Sequence, residues 1–160
     1  MDSEAKQILT RLIREQQTAA LGTLRSGAPE VSMVVFAAAG DFSSFYLHVS
    51  KLAHHTQNLK HDPRASLMIA ESPEANRNPQ SLARVSIQGE ARLVERTSDD
   101  YDRIRSSYLS KFPQAEMMFG LGDFSLYEVE PKSARFVAGF AQTYNLTLKD
   151  FRDLNDAQSP

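Results

Sequence analysis

Ser50 and Lys51 end an apolar alternating run, Phe45-Tyr46-Leu47-His48-Val49, and precede Leu52 to Leu59, which has helical character. A hydroxyl and an ammonium between a strand and a helix start suit an anion. The first backbone N–H groups of a helix are unpaired and carry partial positive charge. Phosphate is the natural occupant of such a junction. The plainer reading of the same residues is structural, with Ser50 as the N-cap and Lys51 in solvent. Ser32, on the preceding strand, and Arg84, at the head of a later one, supply another hydroxyl and another cation. If these strands are neighbours in a barrel, Ser32, Ser50, Lys51 and Arg84 converge on one anion. Taken singly, each is an ordinary surface residue.

Other chemistries find less support. Four histidines, His48, His54, His55 and His61, invite a metal. However, His54 and His55 point about 100° apart on a helix, and neither has a His or acidic partner four residues on. No metal site is expected. A Ser-His-Asp hydrolase lacks its Gly-x-Ser-x-Gly elbow. Gly120-Leu121-Gly122-Asp123 lacks the third glycine of a dinucleotide fingerprint and precedes a strand where that motif needs a helix, so it reads as a turn. Cysteine is absent, which removes disulfides, thiolate metal sites and a cysteine nucleophile.

The elements that position these residues follow from pattern. Ser3 to Gln16 sets Ile8, Leu9, Leu12 and Ile13 on one helical face, with Asp2 or Ser3 as cap. Ala19 to Leu24 and Glu30 to Ala38 read as a hairpin about Arg25-Ser26-Gly27-Ala28, and Ser44 to Val49 as a third strand. A helix over Ala53–His61 stops at Asp62-Pro63, and Ala65 to Ala70 is a buried strand. After a polar loop, Glu71 to Ser81, comes an alternating strand, Arg84 to Glu95, with Gly89 placed for a bulge. A helix capped by Thr97 or Ser98 carries Tyr101, Ile104, Tyr108 and Leu109. Two strands, Phe124 to Val129 and Ala134 to Val137, flank Glu130-Pro131, and a short last helix falls within Asn145 to Leu154. Six or seven short strands joined mainly by tight turns predict an antiparallel barrel with flanking helices; the connections are too short for repeated βαβ crossovers.

At 160 residues the chain is expected to form one domain. Acids and bases are interspersed at a net charge of −2, so no nucleic-acid partner is expected. The polar N-terminus and the lack of any long apolar run predict a cytoplasmic protein without membrane association.

In order and spacing the chain resembles the FMN-binding split-barrel family related to pyridoxamine 5'-phosphate oxidase, and within it the haem-utilisation (HugZ-like) branch. The resemblance is carried by Ala19 to Leu24, Pro29 to Phe36, Leu47 to Leu59 with its His55-Thr56-x-Asn58-Leu59, Asp62-Pro63, Arg84 to Gly89, and Ala134 to Phe140. It implies a six-stranded split barrel occupying 1–160, with an N-terminal helix over 1–17, barrel and inserted helices over 18–140 and a C-terminal segment over 141–160. It also implies a homodimer with FMN in clefts at the interface. Ser32, Met33 and Val34 would lie along the flavin and Ser50 and Lys51 at its phosphate. Arg84 would add a cation or bond the ring, and Gln142 and Tyr144 would reach in from the partner subunit.

The expected function is therefore an FMN-dependent oxidoreductase of unknown substrate, with the flavin supplying the redox chemistry. Vitamin B6 oxidation is not expected. Leu52 stands where the oxidases carry a second cation, Ser32 where they carry Arg, and there is no Trp. The alternatives are a haem-binding or haem-handling protein of the HugZ type, with haem replacing FMN, and a non-catalytic flavin binder or structural dimer; a deazaflavin is a further candidate cofactor.

Overall fold

The computed structural model describes residues 1–75 and 77–156. Asn76 of the expected polar loop and the last four positions of the expected 1–160 domain lie outside the described residues. Helix α1 (Ser3–Glu15) begins where Asp2 accepts a hydrogen bond from the Ala5 N–H at 2.8 Å, and it buries Leu9, Leu12 and Ile13. Strands β1 (Thr18–Arg25) and β2 (Ala28–Ala38) form a hairpin in which Arg25 pairs with Ala28. Its two central residues, Ser26 (φ 50°) and Gly27 (φ 81°), both have positive φ, the two-residue turn whose twist matches that of the strands.

Strand β3 (Phe45–Ser50), helix α2 (His54–His61), β4 (Arg64–Ala70), β5 (Arg84–Val94), helix α3 (Tyr101–Lys111), the short helix α4 (Glu116–Phe119), β6 (Phe124–Gly139), β7 (Gln142–Thr147) and helix α5 (Leu148–Asp156) follow. The antiparallel sheet runs β3-β2-β1-β4-β5-β6, and β3 also pairs with β6. That last pairing closes a six-stranded barrel, with β7 added outside the closure.

Two adjacent strands were expected around Glu130-Pro131; they are one, β6. Its first half pairs with β3, its second half with β7, and β5 runs along both. Proline reads as a break because it cannot donate to a ladder. Here it sits at a bulge between Gln88 and Gly89, opposite Pro131. A Cβ on Gly89 would stand 2.1 Å from the Glu130 carbonyl oxygen, so the close approach requires glycine. Strand β7 was not expected, because of its six residues only Leu146 is buried.

Phe36, Phe45, Leu47, Leu67, Ile87, Val129 and Phe136 fill the barrel, and α1 and α5 add Leu9, Ile13, Phe151 and Leu154. Along β2 and β3 the neighbouring residues alternate outward. Ala37 and Tyr46 there join Leu126, Ile104, Tyr108, Phe112 and Phe119 in a second apolar cluster. This second cluster seats α3 and α4 on the outside of the barrel. It is the packing that turns His48 toward the site described next.

Candidate functional site

An open cleft of about 330 Å³ lies between the outer side of β2 and β3, the start of α2, and the wall made by α3 and residues 113–119. Met33, Val34, Val49, Tyr108, Phe112 and Met118 supply its apolar surface, and His48, Ser50, His55 and Gln114 its polar groups. Strand alternation brings Met33, His48 and Ser50 to this side. The first turn of α2 brings His55.

Packing fixes His48. Its ring lies flat on Phe119, centroids 3.7 Å apart and planes 2° from parallel, with Phe124 at 5.2 Å and the edge of Tyr108 at 5.9 Å. Burial, with Arg96 adding to it, lowers its pKa to about 4, so the imidazole is neutral near pH 7. His55 is fixed by a hydrogen bond, its Nδ1 lying 3.0 Å from the Ser32 hydroxyl. Burial first, and the neighbouring His54 second, lower its pKa also. With Nδ1 engaged, Nε2 is the nitrogen left to meet a ligand.

Helix α2 is held by side chains that the sequence alone left without a role. Thr56 donates its hydroxyl to the Ser50 carbonyl at 2.6 Å. Asn58, buried, donates to Thr23 Oγ1 at 2.9 Å and Glu30 Oε2 at 2.8 Å. The Asn58 hydrogen bond, together with Arg25, holds the Glu30 carboxyl below its ordinary pKa.

The residues expected to surround a phosphate are not all gathered within one chain. Ser50 does not cap α2: the N-cap is Ala53, and the Ser50 hydroxyl accepts from the Leu52 N–H at 3.2 Å. Lys51 turns away, donating Nζ to the Gly122 carbonyl at 2.6 Å while its backbone N–H donates to Asp123 at 2.7 Å. Arg84 donates to the Leu82 and Gln80 carbonyls at 3.0 and 3.3 Å. It pairs with Val137 near the end of β6, whereas Ser50 pairs with Phe124 at its start. Gln142 begins β7. Tyr144 stacks on Phe136 and donates its hydroxyl to Asp2 at 3.2 Å. The structure therefore brings together Met33, Val34 and Ser50, with Ser32 behind His55, and leaves Lys51, Arg84, Gln142 and Tyr144 elsewhere on the chain. Among the described residues no three His, Asp or Glu side chains gather as a metal set.

A closed antiparallel barrel with helices on its flank and an apolar cleft outside β2 and β3 defines the split-barrel class. The chain belongs to the pyridoxamine 5'-phosphate oxidase family, whose model matches residues 5–138. Its relatives lie in the haem-utilisation branch. It is 41% identical over 118 residues to the chloroplastic non-canonical heme oxygenase HOZ of Arabidopsis thaliana, a match covering 74% of this chain and 34% of that protein. It is 28% identical over 144 residues to the heme oxygenase HutZ of Vibrio cholerae, covering 88% and 80%. Among solved structures, a heme binding protein from Mycobacterium smegmatis superposes with a TM-score of 0.79 at 30% identity, covering 94% of this chain and 59% of that one. The chain thus spans about a third of the Arabidopsis protein and under two thirds of the mycobacterial one.

These relatives overturn the main functional expectation, an FMN-dependent oxidoreductase, in favour of its haem-handling alternative. The cleft gives a physical reason. Two imidazoles stand in it among apolar and thioether side chains, beside the neutral Ser50 and Gln114, and the cation expected for a flavin phosphate, Lys51, is engaged by a carbonyl. No helix among the described residues is long and apolar enough to cross a membrane.

Proposed function

We propose that this protein binds and handles haem in the cleft between β2, β3, α2 and α3. The observation that carries the reading is that two imidazoles depressed in pKa, His48 and His55, share one apolar cleft. Iron is bound by neutral imidazole, and a macrocycle needs apolar walls. The donor set fits the group. His55 would hold the iron through Nε2, with Ser32 fixing ring and tautomer, the outer-shell arrangement that orients metal-binding histidines. His48, Tyr108, Phe112, Val34 and the exposed Met33 and Met118 would wall the macrocycle. When bound, haem supplies an iron centre for oxygen or storage chemistry. The chain's part is to orient the ligand nitrogen, keep it deprotonated and exclude water.

The test is a haem titration followed by the Soret band. Wild-type protein is expected to give a saturable band. His55→Ala is expected to move the band and weaken binding, and Ser32→Ala to weaken it by about tenfold or more through loss of ring orientation. Titrations of both variants that overlay the wild type would overturn the assignment.

The second part of the reading is a homodimer that completes the cleft. On the outer face of β2, Val31 and Met33 are 74% and 69% exposed, and Met68 on β4 is 43% exposed. Between them β1 presents Ala20 and Gly22, register partners of Met33 and Val31. Large apolar groups over a floor of small residues form a self-complementary face that a second copy can cover.

A further inference from the structure

Tyr108 stands in the wall of the cleft with a hydroxyl that the fold leaves unused. The residue is 3% exposed. Its ring is fixed by aromatic neighbours, with Phe112, Phe119 and His48 at 5.3, 5.8 and 5.9 Å between ring centres. Its oxygen has no hydrogen-bond partner among the described residues. Tyr46 and Tyr127 are as deeply buried, but each has a charged group to answer to. Arg103 lies 3.5 Å from the Tyr46 hydroxyl, and Glu95 acts on Tyr127. For Tyr108 burial alone pushes the phenol up to about 12. Its proton therefore stays in place near neutral pH, which leaves a neutral donor in an apolar wall.

Taking a hydroxyl out of water without a partner costs free energy, and native folds hold few such groups. No side-chain oxygen or nitrogen among the described residues is fully enclosed without a partner, so the Tyr108 oxygen opens onto space. The cavity that Tyr108 lines is the cleft. Helix α3 carries Tyr108 on one boundary of that cleft and α2 carries His55 on another. Phenylalanine would pack the same wall without the cost, so a ligand that accepts a hydrogen bond accounts for the hydroxyl.

Charge decides which ligand. No Lys, Arg, Asp or Glu lines the cleft. A haem carboxylate pressed against this wall would lose its water with no cation to replace it, whereas a small uncharged molecule loses little and gains a bond. We propose that Tyr108 is a hydrogen-bond donor to a small uncharged ligand, a diatomic gas, held at the haem iron. The inference rests on the haem reading above and deepens it by naming what the loaded cleft accepts.

Tyr108→Phe keeps the ring and removes only the hydroxyl. Without haem, the variant is expected to melt at the wild-type temperature or above it, because no bond within the protein is lost. A lower melting temperature would give the oxygen a structural partner and overturn the proposal. With haem, carbon monoxide is the probe on the reduced protein, and its C–O stretch is read by infrared in H2O and in D2O. The wild-type stretch is expected to differ between the two solvents, since the donor proton exchanges. In Tyr108→Phe that difference is expected to vanish and carbon monoxide to leave about three- to tenfold faster, the range of one neutral hydrogen bond. Haem and its dimethyl ester are then titrated, and both are expected to bind the variant as they bind wild type. A loss confined to haem would place the hydroxyl on a propionate and overturn the proposal. A wild type without a Soret band fails the haem reading itself. A haem-loaded wild type whose carbon monoxide stretch and release match those of Tyr108→Phe overturns this inference alone.

Discussion

At the scale of single residues, the imidazole stacked on Phe119 links the site to pH. The unfolded chain protonates His48 near pH 6.5 and the folded chain only near 4, so between those values the unfolded state binds more protons and stability falls as pH falls. Thermal melts across pH 7 to 4 should show that slope, and His48→Phe, which keeps the stack and removes the titration, should flatten part of it. Gly89 is the second decisive residue, because the Glu130 carbonyl occupies the space a side chain would need. Gly89→Ala should cost about 1 to 3 kcal/mol in urea unfolding, as overpacking does elsewhere. Glycine and its bulge were legible in the sequence. The partner of Lys51 was not, since nothing local in Ser50-Lys51 points to the carbonyl of Gly122, 71 residues away.

Among the elements, α2 shows how a motif that resembles a cofactor signature acts first as scaffolding. Asn58 ties the helix to β1 and β2 through Thr23 and Glu30, while Thr56 closes the turn after β3. Replacing Asn58 with Leu leaves both oxygens without their donor. It should destabilise the fold by about 1 to 3 kcal/mol, and hydrogen exchange should show residues 54–61 opening before the barrel strands. Periodicity made α1, α3 and the early strands legible, because each has one apolar face, although α3 starts after Asp100 and not on the expected cap at Thr97 or Ser98. It failed for β7, whose residues are mostly exposed, and for α4, a four-residue helix following Pro113. The wall that carries Phe119 was missed for that reason, and with it the pairing of His48 and His55 across one cleft. That pairing depends on tertiary packing alone.

For the molecule as a whole, the exposed Val31, Met33 and Met68 form the face on which the proposed dimer would pair. A charge there should break a dimer without touching the barrel interior. Sedimentation of wild type at micromolar concentration is expected to give a dimer and Met33→Glu a monomer with an unchanged circular dichroism spectrum; a monomeric wild type would remove the shared cleft. The barrel itself was legible from the count and spacing of strands, and the pair of strands that closes it was not, since the register between β3 and β6 joins segments far apart in the chain. That seam has a kinetic meaning. During synthesis, β1 to β5 leave the ribosome before residues 124–129, so the apolar side chains that the barrel buries lack their closing strand until β6 can pair with β3. Closure over so long a loop is slow, so the nascent chain carries its greatest aggregation risk in the interval before β6 appears.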